Sequence, residues 1–296
     1  NMVEKSLVIG AAFVDVIMDV GHLPTSGSDV TANLKSYNVG GCAFNVYGAI
    51  RHYLGADRVD LFVPVGKGQY SEMIRKTMNS SKIPILAEDD CQDNGWDICL
   101  IEPSGERTFI TIPGIEQNWQ AEWFNKIDLS DYKYFYVSGY EMENAESAKL
   151  LLDYLAQRNA DSYIIFDASP RINYIDFEIL DRLLSKGVII NANENEIGFL
   201  SDKDTLAEKA QDIFCKTNEP VLITLGAWGT YLYDKHGGKI IGTDKVKNIV
   251  NTIGAGDTHC GGVIAGLLEG NSFPKACQIG NELAAQVIQQ EPGYLR

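Results

Sequence analysis

Thr252-Ile253-Gly254-Ala255-Gly256-Asp257 sets a carboxylate directly behind a glycine turn, at the start of a long apolar helix. Gly254, Ala255 and Gly256 carry little or no side chain, so backbone N–H groups there can approach an anion, and the helix dipole adds partial positive charge. Such a turn suits a transferring phosphate. Asp257 would repel a resting phosphate, which makes chemical sense if it takes a proton from an attacking hydroxyl. The plainer alternative is a helix cap, since glycine and aspartate are ordinary capping residues.

Further candidates stand where apolar runs end. Ligands of open parallel sheets bind beyond the carboxyl ends of the strands, and Asp15, Glu141, Asp167, Asn193 and Gly226 each follow such a run. A carboxylate between Val14 and Val16 is costly unless a ligand or donor satisfies it. Asn45 follows Gly40-Gly41 at a helix start, where it could bind a ligand or cap the helix. Asn193 and Glu196 lie three apart and share one helix face, which suits hydrated Mg2+ and phosphate oxygens; Glu194 does not share it. Thr224, Gly226 and Gly229 would let backbone approach a nucleotide, against the alternative of an ordinary β-turn.

These residues need a frame, and 296 residues of which 45% are hydrophobic are enough for a full α/β core. Continuous apolar runs at 7–9, 59–65, 134–137, 163–166, 188–190 and 221–225 read as strands buried on both faces. Helical patterns at 43–54, 70–79, 145–158, 205–215, 257–269 and 275–289 alternate with them, predicting a parallel sheet with helices on both sides. Residues 14–37 and 98–112 are β-type without a helix, the second with a hairpin signal at Pro103-Ser104-Gly105-Glu106.

Forty acidic against twenty-five basic residues, a formal charge of −15, exclude nucleic acid and anionic membranes as natural partners. Six scattered cysteines with no paired spacing suggest neither a zinc site nor a disulfide framework and fit a cytoplasmic location. No apolar run reaches the roughly 20 residues of a membrane span, and no basic-then-apolar leader opens the chain. Asn1 before Met2 reads as a tag remnant.

Taken in order, Gly10-Ala11-Ala12-Phe13-Val14-Asp15, Gly40-Gly41-Cys42-Ala43-Phe44-Asn45, Asn193-Glu194-Asn195-Glu196, Thr224-Leu225-Gly226-Ala227-Trp228-Gly229 and the Gly254-to-Asp257 helix start resemble the ribokinase-like carbohydrate kinases across nearly the whole chain. The resemblance implies a doubly wound α/β fold with a mostly parallel central sheet, in one domain spanning 2–296. It also implies a small β-sheet lid built from 14–37 and 98–112. By the same resemblance, ATP and Mg2+ serve transfer of the γ-phosphate to a primary hydroxyl of a small sugar or sugar-like acceptor. Asp257 is then the general base, and the N–H groups of Gly254, Ala255 and Gly256 stabilise the moving charge. Asp15, Gly41, Asn45 and Glu141 are implied for the acceptor. Asn193, Glu196, Thr224, Gly226, Gly229 and Asn281 are implied for ATP, with Mg2+ held near Asn193 and Glu196 through water. Arg107 resembles part of a lid signature and reads as a structural lid residue. A homodimer through the lid edges follows the same logic.

Departures from the pattern carry expectations of their own. Asn251 replaces an aspartate that helps bind a monovalent cation in relatives, so a weak response to K+ is expected. His259 stands where an apolar or aromatic residue is commoner and reads as packed or capping, and Lys67 takes no role. Asn251 and the Gly10-Ala11-Ala12 opening also resemble pseudouridine kinases, making a nucleoside the alternative acceptor. A non-catalytic sugar or nucleotide sensor is the third reading, and joint retention of Asp257 and Glu196 opposes it. The dehydrogenase G-x-G-x-x-G and the P-loop G-x-x-x-x-G-K-[ST] are both absent.

Overall fold

A computed structural model describes residues 3–290 and 293–295. Met2 and Arg296, the ends of the expected domain, lie outside the described residues, as does Asn1. The strands are β1 (Lys5–Ile9), β2 (Phe13–Val20), β3 (Ala32–Gly40), β4 (Val59–Phe62), β5 (Pro64–Val65), β6 (Ala87–Glu88) and β7 (Trp96–Ile101). They continue with β8 (Arg107–Ile112), β9 (Tyr132–Ser138), β10 (Tyr163–Asp167), β11 (Val188–Asn193), β12 (Val221–Thr224), β13 (Thr230–Asp234) and β14 (Gly237–Ile241). The α-helices are α1 (Cys42–Leu54), α2 (Gln69–Ser80), α3 (Gly139–Met142), α4 (Ala145–Leu155) and α5 (Phe177–Leu183). After them come α6 (Glu194–Ile197), α7 (Leu206–Thr217), α8 (Ala255–Leu268) and α9 (Phe273–Val287).

The main sheet runs β14-β13-β12-β11-β10-β9-β1-β4, parallel from β4 through β12 and closed by the antiparallel edge strands β13 and β14. Successive residues of its strands enter two different cores. Leu7, Phe135, Val137, Ile164 and Phe166 pack on one face, and Val8, Tyr136 and Ile165 on the other. That alternation, with both faces covered, is why these strands read as unbroken apolar runs. The edge hairpin of β13 and β14 lacks such runs, with Lys239 and Ile240 exposed, and the sequence pattern did not reveal it.

The two segments without helical pattern meet in one four-stranded sheet, β3-β2-β7-β8. Strands β2 and β3, like β7 and β8, pair antiparallel, while the central β2 and β7 run parallel. The expected hairpin turn falls at 102–106, where Gly105 takes φ +89°. This lid is fastened to the main body by Asn94, whose Nδ2 donates to Ala12 O (3.1 Å) and Pro64 O (2.9 Å).

Helix α8 is the centre of one helical layer, and every residue from Thr258 to Leu268 is buried. Glycines bring it close to both neighbours. A Cβ on Gly261 would stand 2.7 Å from Val46 O of α1, and one on Gly262 2.7 Å from Gly280 Cα of α9. At Gly266 the same atom would meet Ala276 Cα at 2.8 Å.

Candidate active site

Parallel strands deliver their carboxyl ends to one side of the sheet, and the start of α8 arrives at the same place. A cavity of about 250 Å³ opens there, lined among others by Asp167, Asn193, Glu196, Thr224, Gly256 and Asp257. A longer groove of about 1360 Å³ runs beneath the lid along α1, lined among others by Asp15, Gly41, Asn45, Arg107 and Phe109. Cys42, Gly254 and Asp257 line both. The carboxylate singled out by the glycine turn thus stands where two spaces meet.

Asp257 is the third residue of α8, after a Gly254 N-cap in the left-handed region (φ 79°), and no side chain caps this helix. Gly254 is also required sterically, since a Cβ there would lie 1.9 Å from Gly293 O. The Asp257 carboxylate receives Asn45 Nδ2 at 2.9 Å, a contact between residues 212 apart in the chain. Burial raises its pKa to about 6; hydrogen bonds from Asn45 and the Cys42 thiol lower it, and the charge of Glu196 raises it. A carboxylate so tuned is mostly ionised near neutrality yet much more basic than a free aspartate, as proton abstraction requires. Cys42 sits at the first position of α1, and burial, then Asp257, keep its thiol protonated.

On the phosphate-sized side, Asn193 and Glu196 hold one another in a capping box at the start of α6. Glu196 N donates to Asn193 Oδ1 (2.8 Å), and Asn193 N donates to Glu196 Oε1 (3.0 Å). Glu196 is buried, and burial raises its pKa while the bond that Asn193 N donates to Oε1 lowers it. Among the described residues no group of three or more His, Cys, Asp or Glu could hold a metal ion. The residues therefore fit Mg2+ only as a partly hydrated ion whose other ligands are phosphate oxygens.

Sequence reasoning assigned no role to several residues of this cavity. Asp167, at the end of β10, has its pKa driven well up by burial, then by Asp257 and Glu196. Tyr136 Oη and Asn191 Oδ1 line the cavity region, buried and without a hydrogen-bond partner. Only Asp167 had a signal, its place after a strand; the other two lie inside strands and look like core.

The structure does not bring every expected nucleotide residue to this cavity. Thr224 lines it; Gly226, Gly229 and Asn281 line neither space. Gly226 (φ +59°) begins the turn after β12, and a Cβ on Gly229 would lie 2.1 Å from Ile241 O, so that glycine admits the edge hairpin. Asn281 is buried and donates to Ile241 O (3.0 Å) and Gly242 O (3.2 Å), while its Oδ1 accepts from Thr230 Oγ1 (3.0 Å). His259 belongs to the same cluster, with Nε2 2.8 Å from Thr230 Oγ1. Burial lowers its pKa to about 4, so it stays neutral. Lys67 is exposed.

In the groove, Gly41 is the N-cap of α1 at φ 130°, where a Cβ would meet Ala11 O at 2.8 Å. Asn45 lies one turn into α1 and makes no cap, its amide being spent on Asp257. Asp15 accepts from Asn38 Nδ2 at 3.3 Å across the lid strands. Arg107 is exposed at the start of β8. Glu141, implied by the resemblance for the acceptor, is not among the residues lining the groove. It is buried in a capping box with Ser138 at the start of α3, does not line the cavity either, and burial raises its pKa to about 7.

Four likenesses bear on this arrangement. A family model described as pfkB family carbohydrate kinase matches residues 3–294. An uncharacterized sugar kinase of Escherichia coli (strain K12), YegV, is 32% identical over 297 residues, covering 98% of this chain and 90% of that protein. An adenosine kinase of Saccharomyces cerevisiae is 26% identical, covering 86% and 79%. The crystal structure of a ribokinase from Thermotoga maritima superposes with a TM-score of 0.83 at 23% identity, covering 98% and 94%, which shows the fold.

Proposed function

The chain belongs to the pfkB family of carbohydrate kinases and is a sugar or nucleoside kinase; from that premise we propose that it transfers the γ-phosphate of ATP to a primary hydroxyl of a free sugar. The carrying observation is Asp257 at the meeting of two spaces, one sized for phosphates and one long enough for an acceptor and its lid. The acceptor hydroxyl lies against Asp257, held through Asp15, Gly41 and Asn45. Asp257 takes its proton as the oxygen attacks phosphorus in line. The N–H groups of Gly254, Gly256 and Asp257 donate to the transferring group, that of Ala255 joins them by leaving its 3.3 Å turn bond to Thr252 O, and the helix dipole favours the charge it carries. ATP lies along Asn193, Glu196 and Thr224, with Gly226, Gly229 and Asn281 shaping the turn and edge hairpin beside it. Mg2+ bound through water at Glu196 and Asn193 would neutralise phosphate charge. Asn45, bonded to the base, links acceptor binding to proton transfer.

The expected lid, a mobile cover over one kinase domain, would exclude water when the acceptor is bound. Its edge strands β3 and β8 expose Leu34, Tyr37, Phe109 and Ile110, which supports a homodimer through the lid. All six cysteines are free thiols, in keeping with a cytoplasmic enzyme. No helix among the described residues is long and apolar enough to cross a membrane.

The second reading, a nucleoside acceptor, is supported by the adenosine kinase relative and by the length of the groove. Tyr37, Phe44 and Phe109 line the groove and could stack on a base. The deciding experiment measures kcat/KM under saturating MgATP for ribose, fructose and other hexoses against pseudouridine, inosine and adenosine. A tenfold preference for any nucleoside over every sugar would replace the primary reading.

A further inference from the structure

The floor of the lid holds a carboxyl that the kinase scheme leaves unused. Strands β2 and β7 run parallel with Asp15 opposite Asp97. Asp97 shares its strand face with Cys99 and Ile101, which line the groove, and Asp15 shares its own with Ile17. Asp97 is 8% exposed, its Oδ1 is buried without a hydrogen-bond partner, and its other partner is the Asp15 side chain. On the face of the pair, Cys99 on β7 feels both carboxylates and Arg107 of β8, and Lys35 of β3 lines the same groove as Asp15; Tyr37, opposite Val16, and Tyr70, stacked on Trp96, belong to the other face of the sheet. Among the described residues neither Asp15 nor Asp97 is in an ion pair.

Two carboxylates side by side without a cation cannot both ionise cheaply, and the more buried one keeps the proton. We propose that Asp97, protonated, donates a hydrogen bond to Asp15 and fixes that carboxylate to receive a pair of hydroxyls from an uncharged polyol acceptor. The inference rests on the kinase reading for its acceptor and names Asp97 as a positioning residue. Burial, then Asp15, raise the Asp97 pKa to about 9, which keeps Asp97 protonated through the neutral range. A carboxylate on the acceptor would meet two acidic side chains without a paired cation in a half-buried place, so sugar acids are disfavoured at this end of the groove.

The test compares wild type with Asp97→Asn, which keeps a donor of the same shape, and Asp97→Ala, which removes it. Thermal unfolding reads the proton without reference to catalysis. Asp97 binds a proton when folded that it lacks unfolded, so wild-type stability falls as pH rises from about 4 to about 9. The Tm of Asp97→Asn should therefore gain on wild type between about pH 5 and about pH 8.5, and a constant gap overturns the proton sharing. Kinetics use whichever of ribose, fructose, adenosine and pseudouridine wild type phosphorylates best, with gluconate as the acid. Asp97→Ala should raise the acceptor KM by about tenfold or more, with kcat and the KM for ATP held within about threefold, and Asp97→Asn should restore it. Equal damage from Asn and Ala, or a preference for gluconate, overturns the positioning role. If wild type phosphorylates none of these while the Tm gap widens with pH, the kinase reading and the acceptor fail and the shared proton stands.

Discussion

The two spaces that meet at Asp257 are built by different means. On the phosphate side each polar group is set by local chain geometry at a strand end or helix start: Ser138 closing β9, Asn193 closing β11 with Glu196 in the turn that follows, Gly254 capping α8. On the acceptor side the groups come from distant segments brought into register, with Asp15 beside Asp97 and Asn45 on Asp257. Local devices place charge near a helix start within a few residues. The acceptor side depends on the whole lid and on α1 being in place.

The sharpest way to break the comparison is the shared residue. Asp257→Asn keeps the shape, so ATP binding should persist while turnover falls by about 10²- to 10⁴-fold, the usual worth of a general base. Near-normal turnover would remove the base from both sides. In wild type, kcat/KM should fall about tenfold per unit as pH drops below about 6, where Asp257 takes a proton.

The next variants should move that acid limb in opposite directions. Asn45→Ala removes the donor that lowers the Asp257 pKa, so the limb should shift to higher pH while the acceptor KM rises about tenfold. Glu196→Gln removes a negative charge that raises it, so the limb should shift to lower pH. The Mg2+ requirement should rise several-fold in that variant, with the acceptor KM changed less than about threefold. Shifts of the same sign in a pH titration of kcat/KM would show that the two sides are not separate. The smallest effect is expected from K+. With Asn251 in place of a carboxylate, activity in buffer free of Na+ and K+ should stay within about threefold of that with K+, and a large activation would show that carbonyl oxygens suffice.

The same division decided what the sequence made legible. Gly254-Ala255-Gly256-Asp257 and Asn193 with Glu196 are local patterns, and a parallel sheet with helices on both sides followed from apolar runs alternating with helical periods, the doubly wound fold from family resemblance. The lid segments were visible as helix-free stretches and their joint sheet through family resemblance. Asp97 was not visible, because its meaning comes from a partner 82 positions away across a strand pair. Tyr136 and Asn191 were hidden for the same reason: inside a strand, only the finished sheet shows which residue ends at a cavity. Asn281 was legible only through family resemblance, and its amide bonds the backbone carbonyls of the edge hairpin and the turn after it.

The glycines of α8 have a genetic consequence. Gly261, Gly262 and Gly266 leave room for nothing but hydrogen between this helix and its neighbours. Every single-base change that alters a glycine codon adds a side chain or ends the chain, so no missense step at these three sites is small. Even alanine would have to push α1 or α9 aside, a strain of about 1–3 kcal/mol in a packed interior. Because the same helix carries Asp257 at its first turn, such alleles should appear as temperature-sensitive loss of activity, although none of the three codons encodes a residue of the site.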